Sequence, residues 1–344
     1  MARNRETYRK VITNQELIEQ INPDNKKLMD RFLKNFATKR SPKTVIVYQS
    51  NLNIFFVWNL LENDNLFFVD IKKRHLMDFF DYCVTELKWN SNRYANMHSS
   101  LSSFSAWIEN IFDDEYPMFR NLLPKIEKPV KETVREKTVL SKADIDLIFS
   151  ELEKQGRIQE QCLLALAISC GARVSELNLF TTDLIDEENT AFDGLFLETT
   201  KKIRTKGRGV NGKMLIKYVL KDTFLPYYHK WLIEREKIMK EYNQEHTSIF
   251  INKHTGTPTT AEGLRKWINT WSDFVDKPCY PHNLRHYHIS YLKSLDLEDD
   301  FIVYLTGWSE STGHGMIAIY NDATAKDRKW KNLDKLKIAV QQTA

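Results

Sequence analysis

Short segments in the second half of the chain carry residue types that could act together on a phosphate group. Arg173 lies in the segment GARVSEL, and His282 and Arg285 share the segment PHNLRH. An arginine side chain donates two hydrogen bonds to phosphate oxygens and keeps its positive charge. A histidine accepts or donates a proton near neutral pH. A tyrosine, whose resting pKa is about 10, attacks phosphorus once a base and a cationic field assist it. Residues of these types could together act on a phosphodiester.

Several of these residues also have a purely structural interpretation. Arg173 could pair with Glu176 on one helical turn. The three histidines His282, His286 and His288 could suggest a metal site, but no H-E-x-x-H motif or cysteine partner accompanies them, so we expect no metal. Glu176 is expected to be a structural partner of an arginine or of the backbone.

A dense block of positive charge lies between residues 199 and 221, where there is no carboxylate. Its eight cations are Lys201, Lys202, Arg204, Lys206, Arg208, Lys213, Lys217 and Lys221. Such a block repels itself unless a polyanion neutralises it, although a solvated, flexible hairpin would have the same composition. The formal net charge is only +4 because acidic clusters such as residues 113–115 and 298–300 offset the block. The basic surface is therefore local.

The length and composition of the chain limit the function classes. A chain of 344 residues is long enough for two domains of roughly 100–200 residues each. The longest apolar run covers only residues 163–168, far below the ~20 residues of a membrane-spanning helix, and no apolar secretory signal follows the basic N-terminus. The four cysteines form no C-x-x-C pair, which is typical of reduced thiols in the cytosol. We therefore expect a cytoplasmic protein without a membrane partner.

Residues 1–123 predict an all-helical domain. Ser41 is a suitable N-cap, and Pro42 fits the first helical position, where its missing N–H costs nothing. Further helices are expected over residues 73–87 and 92–112, and the aromatic stripe of the last one is expected to pack in the core. The polar faces carry the cations Lys39, Arg40, Lys43 and Arg93, which are candidates for binding a polyanion.

A linker is predicted over residues 124–138. This segment has two prolines, alternating charges and hardly any apolar residues, which indicates an extended and mobile chain. The second domain is predicted over residues 139–344. It begins with Ser141, which forms a capping-box pattern with Asp144.

The predicted elements of the second domain position the reactive residues. A buried helix over residues 161–170 ends at Gly171, so the first arginine segment follows directly. Short strands over residues 191–197 and 215–220 enclose the basic, glycine-containing segment 205–212 in a β-hairpin or small sheet. The chain then returns to helix over residues 230–242, 261–272, 286–294 and 301–305.

Four sequence features, in order, resemble landmarks of the tyrosine recombinase (phage-integrase-like) family. GARVSEL resembles the family's G-x-R-x-x-E-L box, and PHNLRH resembles its H-x-x-R box. LTGW, which ends at Trp308, resembles the L-x-G-H landmark in its Trp variant, and Tyr320 lies where the nucleophile is expected. The resemblance covers residues 141–344. Residues 1–123 are similar to the family's SAM-like core-binding domain in size, position and the S-P-K-T start of a helix.

The resemblance implies a fold and an activity. The fold is an all-α SAM-like N-terminal DNA-binding domain followed by a mostly α, mixed α/β catalytic domain with a small antiparallel β-sheet. The activity is site-specific recombination or integration, in which DNA strands are cut and rejoined through a covalent 3′-phosphotyrosine intermediate, without a metal, ATP or another cofactor. The alternatives are a DNA-binding protein on the same scaffold that does not exchange strands, and a type IB-like topoisomerase.

The resemblance also implies catalytic roles. The six candidates are Arg173, Lys206, His282, Arg285, Trp308 and Tyr320. The two arginines hold the phosphate, the histidine is the natural base and the tyrosine is the nucleophile. Lys206 is expected to protonate the departing 5′-hydroxyl, with Lys201 and Lys202 as alternatives.

The position of Trp308 departs from the family's pattern. Tyr320 follows it by 12 residues, which is longer than the usual spacing. His314 is closer to Tyr320 in sequence and could take the role of Trp308. The neighbouring tyrosines that compete for the nucleophile's role are expected to belong to the core; they are Tyr287, Tyr291 and Tyr304.

The expected partner is double-stranded DNA with inverted half-sites. The candidate DNA contacts are Lys39, Arg40, Lys43 and Arg93 in the first domain and Lys201, Lys202, Arg204 and Arg208 in the basic block. Residues 331–340 (KNLDKLKIAV) place Leu333, Leu336 and Val340 at helical spacing. The resemblance implies that this segment docks onto a neighbouring subunit in a homo-tetramer on DNA, and packing onto its own domain is the alternative. Accessory DNA-binding factors, a bacterial or phage context and association with the nucleoid are further expectations.

Overall fold

The computed structural model describes residues 12–130, 138–206, 212–295 and 297–308. These residues fall into two compact units, one formed by residues 12–130 and the other by residues 138–206 and 213–308. Each unit has its own apolar core. Among the residues described, no helix is long and apolar enough to cross a membrane.

Over residues 12–130 the chain forms five α-helices. They are α1 (Gln15–Gln20), α2 (Pro23–Ala37), α3 (Pro42–Glu62), α4 (Lys73–Thr85) and α5 (Ser91–Ile111). Ser41 caps α3 as predicted, because its hydroxyl oxygen accepts a hydrogen bond from the N–H of Thr44. Pro42 occupies the first helical position.

Aromatic side chains fill the core of the first unit. Phe55, Phe79 and Phe104 are fully buried. The rings of Phe55 and Phe79 meet edge to face with their centroids 4.9 Å apart, a favourable arrangement of aromatic quadrupoles. Tyr94 and Phe104 lie on the buried face of α5, which confirms that the aromatic stripe belongs to the core.

The first unit extends into the predicted linker. Ile126 is buried in the core of this unit. The hydroxyl of Tyr94 donates a hydrogen bond to the carbonyl of Glu127 at 3.0 Å, and the imidazole of His98 lies 2.8 Å from the carbonyl of Leu123. The segment from Pro124 to Glu127 is therefore packed rather than mobile, because the side chain of Ile126 is buried in the core.

The second unit contains eight α-helices and five short strands within the described residues. They are α6 (Lys142–Lys154), α7 (Ile158–Cys170), α8 (Val174–Leu177), β1 (Thr190–Ala191), β2 (Phe196–Glu198), β3 (Ile203–Thr205), β4 (Lys213–Leu215), β5 (Tyr218–Leu220), α9 (Lys221–Glu241), α10 (Ala261–Thr270), α11 (Ser272–Val275), α12 (Pro281–Ser294) and α13 (Asp299–Thr306). Helix α7 is buried almost all round, and α6, α9 and α12 pack against it. This mostly helical architecture with small antiparallel sheets confirms the predicted fold class.

The strands form two separate antiparallel sheets, which corrects the predicted strand over residues 191–197. Phe192 and Asp193 have positive φ angles of 56° and 55°, as does Gly194 at 83°, so the chain reverses there. Strands β1 and β2 therefore pair with each other, and β2 also pairs with β5. The hairpin of β3 and β4 carries the middle of the basic block. Strand β3 was not predicted, because its central residue is the charged Arg204.

Two helices of the second unit begin earlier than predicted. Helix α12 begins at Pro281 rather than at His286, and the Asn283 side chain accepts a hydrogen bond from the N–H of Tyr280 to cap it. His282 and Arg285 therefore lie on its first turns. Helix α9 begins at Lys221 although Pro226 lies inside it, a position that proline disfavours.

Candidate active site

Gly171 forms the corner from which the first arginine segment departs. It ends α7 in the left-handed conformation with φ at 56°, which glycine adopts without strain. A Cβ atom at this position would lie 2.5 Å from Cδ2 of His288. The carbonyl oxygen of Gly171 accepts a hydrogen bond from Nη1 of Arg285 at 2.7 Å. One glycine thus joins the end of α7 to the second arginine segment.

His288 packs against this corner. Its Nδ1 lies 2.7 Å from the carbonyl oxygen of Ile168 on α7, so Nδ1 carries the proton. Burial lowers the pKa of His288 to about 4, and the nearby Arg285 contributes to the lowering. This histidine is therefore a neutral, structural hydrogen-bond donor at neutral pH.

Arg285 and Trp308 lie face to face. Arg285 is only 2% exposed, and its Cζ lies 4.9 Å from the centroid of the Trp308 ring. This is a cation–π contact, in which the aromatic face attracts the guanidinium. Trp308 reaches this place because α13 ends at Gly307 with φ at 68°, and the N–H of Trp308 donates back to the carbonyl of Val303. Two of the predicted catalytic residues are thus in contact.

Arg173 pairs with Glu176, so the structural interpretation of this pair is correct. The guanidinium Nη1 donates to Oε1 of Glu176 at 2.8 Å, and the Arg173 side chain is 33% exposed. The carboxylate also accepts a hydrogen bond from Nζ of Lys217 at 2.9 Å. Burial alone would raise the pKa of Glu176, but Lys217 and Arg173 outweigh that effect and lower it. The pairing leaves part of the guanidinium exposed for a ligand.

His282 is exposed on the first turn of α12, near both arginines. The protein around one side of its ring lowers its pKa by desolvation, and the charges of Arg285 and Arg173 lower it further. A histidine in this field is neutral near pH 7 and can accept a proton. The ring of His286 stands perpendicular to it with the centroids 4.5 Å apart. Among the described residues, no three His, Cys, Asp or Glu side chains are grouped to hold a metal ion.

The lysine candidates for the proton donor stand at the surface. Lys206 is exposed directly after β3, and Lys202 is exposed directly before it. Lys201 is exposed and pairs with Asp183 at 3.3 Å. Arg204 is exposed on β3, whereas Arg208 lies outside the described residues.

Tyr320 and His314 also lie outside the described residues, as does the predicted tail segment 331–340. The competing tyrosines are not all in the core, contrary to the prediction. Tyr304 is 57% exposed, and its hydroxyl lies 2.6 Å from that of Tyr218. Tyr291, on the last turn of α12, is also exposed.

The candidate DNA contacts of the first unit differ in their surroundings. Lys39, Arg40 and Lys43 are exposed around the start of α3. Arg93 is half-buried: its Cζ lies 4.3 Å from the centroid of the Trp89 ring, and its Nη1 donates to the side chain of Asn51 at 2.6 Å. Arg93 therefore also joins α5 to α3.

Residues 138–327 match the model of the phage integrase family, which is more than half of the chain. The chain belongs to this family. The recombinase-like protein YomM, derived from the SPbeta prophage of Bacillus subtilis, is 24% identical over 80% of this chain and 80% of its own length. The tyrosine recombinase XerC of Psychromonas ingrahamii is 27% identical over 75% of this chain and 80% of its own length.

Solved structures share the fold of this chain. The structure of a lambda integrase tetramer bound to a Holliday junction aligns with 86% of this chain and 77% of its own, with a TM-score of 0.61 and 16% identity. The match to the family model and the two relatives confirm the resemblance to the tyrosine recombinases, and the solved structure shares the fold. This integrase-family protein is a site-specific tyrosine recombinase.

The residue that sequence reasoning missed is Lys217. It was counted among the cations that face a polyanion, yet its side chain is only 3% exposed. The sequence signal for the burial of Lys217 was Glu176, since a buried carboxylate needs a cationic partner.

Proposed function

We propose that this recombinase cuts each DNA strand with Tyr320 and stores the energy of the broken bond in a 3′-phosphotyrosine linkage. The observation that supports this proposal is the convergence of Arg173 and Arg285 on His282. The two arginines come from segments far apart in sequence, yet the carbonyl of Gly171, two residues before Arg173, accepts a hydrogen bond from Arg285, and both cations lower the pKa of His282. Such a field stabilises the negative charge that builds up on a phosphate in the transition state.

The proposed reaction consists of an attack by Tyr320 on phosphorus and the departure of the 5′-oxygen. The Tyr320 oxygen attacks the scissile phosphorus and gives its proton to neutral His282. The bond from phosphorus to the 5′-oxygen breaks, and Lys206 protonates the departing oxygen. Arg173 and Arg285 hold the non-bridging oxygens throughout, so no metal or ATP is required. Ligation is the reverse reaction with a 5′-hydroxyl from another strand.

The DNA substrate is proposed to be a pair of inverted half-sites. The first unit would bind the DNA with Lys39, Arg40 and Lys43, and residues 139–344 would cut. Lys201, Lys202, Arg204 and Arg208 would hold the phosphate backbone next to the site. Lys201, Lys202 and Arg204 are exposed, and cations of this kind suit sequence-independent contacts, which position a protein on a duplex.

The active assembly is proposed to be a homo-tetramer on DNA in which residues 331–340 dock onto a neighbour. The lambda integrase tetramer on a Holliday junction supports this assembly, and the prophage origin of the relative YomM supports a mobile genetic element as the source. Accessory DNA-binding factors and a cytoplasmic, nucleoid-associated location belong to the same proposal.

A nicked suicide substrate tests the nucleophile, because loss of a short 5′ fragment traps the covalent adduct. We expect Tyr320→Phe to form no adduct while it binds DNA almost normally, since the phosphate contacts do not involve the phenolic oxygen. Tyr304→Phe is the matched control and should form the adduct, because its hydroxyl bonds to Tyr218. An adduct formed by the Tyr320→Phe protein would exclude Tyr320 as the nucleophile. Recombination between two plasmid sites, measured beside relaxation of supercoils, separates a recombinase from a topoisomerase.

A further inference from the structure

Lys217 is the one cation of the basic block, among its described members, that is fully buried. Two hydrogen bonds to Thr199 fix the backbone of Lys217. The N–H of Lys217 donates to the hydroxyl oxygen of Thr199, and the N–H of Thr199 donates to the carbonyl oxygen of Lys217, each at 3.0 Å. Thr199 is itself buried directly after β2. Lys206 and Lys213, by contrast, are exposed. Lys217 is therefore held in the protein interior, apart from the exposed cations that are proposed to contact the DNA backbone.

The ammonium group of Lys217 faces the carboxylate that holds Arg173. Oε2 of Glu176 accepts from Nζ of Lys217 at 2.9 Å and from the backbone N–H of Arg173 at 3.2 Å. Oε1 accepts from the guanidinium of Arg173 at 2.8 Å. Glu176 is thus shared between two cations, and it holds both the main chain and the side chain of the arginine.

Lys217 changes the effect of the Glu176 carboxylate on Arg173. Glu176 is only 1% exposed, and a buried carboxylate with a single partner either takes up a proton or draws that partner inward. Lys217 supplies a full counter-charge from the interior side. The guanidinium of Arg173 can then keep one edge on Glu176 while the remainder stays open to solvent.

We propose that Lys217 is a positioning residue for strand cleavage: it holds Glu176 in place, and Glu176 orients the guanidinium of Arg173 toward the scissile phosphate. This inference rests on the proposed function, because it requires that Arg173 binds that phosphate. Lys217 touches neither DNA nor the reacting atoms, and its effect passes entirely through Glu176.

The variant that tests this role is the double substitution Lys217→Met with Glu176→Gln. Removal of the lysine alone would take one of two cationic partners from the buried carboxylate of Glu176 and endanger the fold, whereas removal of both charges together avoids that penalty. The matched control is Lys293→Met with Asp299→Asn, which neutralises another ion pair with a buried lysine, in the same unit. Arg173→Lys serves as the reference for loss of the phosphate contact. Lys217→Gln is measured beside the double variant, because it keeps Glu176 and a hydrogen-bond donor toward it and removes only the charge of the lysine. Slower cleavage by Lys217→Gln assigns the defect to Lys217, and normal cleavage by this variant would assign it to Glu176 alone.

Two readouts separate positioning from folding. The first is the single-turnover cleavage rate of the suicide substrate at saturating protein, measured beside the dissociation constant for DNA and the thermal midpoint. We expect the double variant to bind DNA almost normally and to cleave on the order of 10²-fold more slowly, as misplaced groups do. The control pair should cleave at the rate of the unmodified protein.

The second readout uses a substrate with a methylphosphonate at the cleavage position, which carries no negative charge and so depends less on a guanidinium. The defects of the double variant and of Arg173→Lys should both shrink on this substrate.

If the double variant cleaves normally while Arg173→Lys is defective, the role of Lys217 is overturned and that of Arg173 stands. An equal loss by the double variant on the phosphodiester and on the methylphosphonate substrate would also overturn the role of Lys217. Normal cleavage by Arg173→Lys would overturn the assignment of Arg173, and the inference with it.

Discussion

The carbonyl oxygen of Gly171 accepts a hydrogen bond from Nη1 of Arg285 at 2.7 Å, across 114 residues of sequence. The bond joins the segment that carries Arg173 to the helix that carries the second arginine. Because Gly171 is in the left-handed conformation, its carbonyl is turned away from the helical direction of α7. The glycine of the first segment therefore has a second task, which is to hold the arginine of the other segment.

Substitution of Gly171 by alanine should damage both stability and cleavage. The positive φ angle strains any residue with a Cβ, and here the Cβ would also lie 2.5 Å from the ring of His288. Gly156→Ala is the matched control, because Gly156 has φ at +64° but nothing within 4 Å of the Cβ position. Chemical denaturation should show a loss of about 1 kcal/mol for Gly156→Ala and a larger loss for Gly171→Ala. Equal losses would show that the His288 contact relaxes without cost.

The cleavage rate should depend on the protonation of His282. A base acts in its neutral form, and the lowered pKa of His282 keeps that form at pH values below the usual histidine pKa of about 6.5. Single-turnover cleavage should therefore be constant through neutral pH and fall as the pH decreases through this lowered pKa.

The charge of Arg173 should contribute to that low pKa. In Arg173→Met one of the two nearby cations is lost, so the pKa of His282, followed by NMR of its ring protons, should rise. Arg265→Met is the control, since Arg265 is exposed on α10 and pairs with Glu262. An unchanged pKa in Arg173→Met would mean that the two side chains are not neighbours in solution.

Cleavage should survive an excess of EDTA. The proposed site uses arginines to neutralise the phosphate, so chelation removes nothing that the reaction needs. Adduct formation on the suicide substrate measures this, with a Mg²⁺-dependent nuclease in the same buffer as proof of chelation. Loss of the adduct while the circular dichroism of the protein is unchanged would contradict the metal-free mechanism.

The affinity for DNA should fall steeply with salt, and Lys43 should contribute to the slope. Each lysine that contacts a phosphate releases condensed counterions, so the slope of log K against log[salt] should become shallower by about 0.9 in Lys43→Met. Lys27→Met is the control, because Lys27 is exposed on α2 and pairs with Asp24. Filter binding over a range of salt concentrations gives both slopes. Equal slopes in the two variants would remove Lys43 from the DNA contacts.

Local signals predicted much of the fold. The caps at Ser41 and Ser141 depend on contacts within three residues, and both helices begin where those contacts require. Gly171 ends α7 for the same local reason. The reversal at Phe192 and Asp193 was missed although Asp193-Gly194 is a dipeptide typical of hairpin turns, because the apolar residues on both sides of it resemble one continuous strand.

The site shows the same division between local and distant causes. Short motifs indicated Arg173, His282 and Arg285, because their residue types and spacing are visible in the sequence. The burial of Lys217 depends on Glu176, which is 41 residues away, and nothing near Lys217 distinguishes it from the exposed cations of the block. The contact between Arg285 and Trp308 likewise depends on how α12 and α13 pack, which no local pattern reports.

Deletion of residues 332–344 should spare binding to a single half-site and prevent recombination. The spacing of Leu333, Leu336 and Val340 predicts one narrow apolar stripe on a short helix, with lysines on the other face. A helix of this length is marginal in water without a partner surface. A head-to-tail contact with a neighbouring subunit supplies such a surface, and repeated contacts of this kind close a ring.

The paired substitution Leu333→Asp with Leu336→Asp should have the effect of the deletion, because it removes the stripe and keeps the length of the chain. Lys335→Gln is the matched control on the polar face and should recombine normally. Native gel shifts on one and on two half-sites, together with a plasmid recombination assay, measure binding, assembly and strand exchange separately. Recombination by the truncated protein at the normal rate would show that the subunits assemble through another surface. Loss of binding to a single half-site would instead show that the stripe packs onto its own domain, because the fold of each subunit would then depend on it.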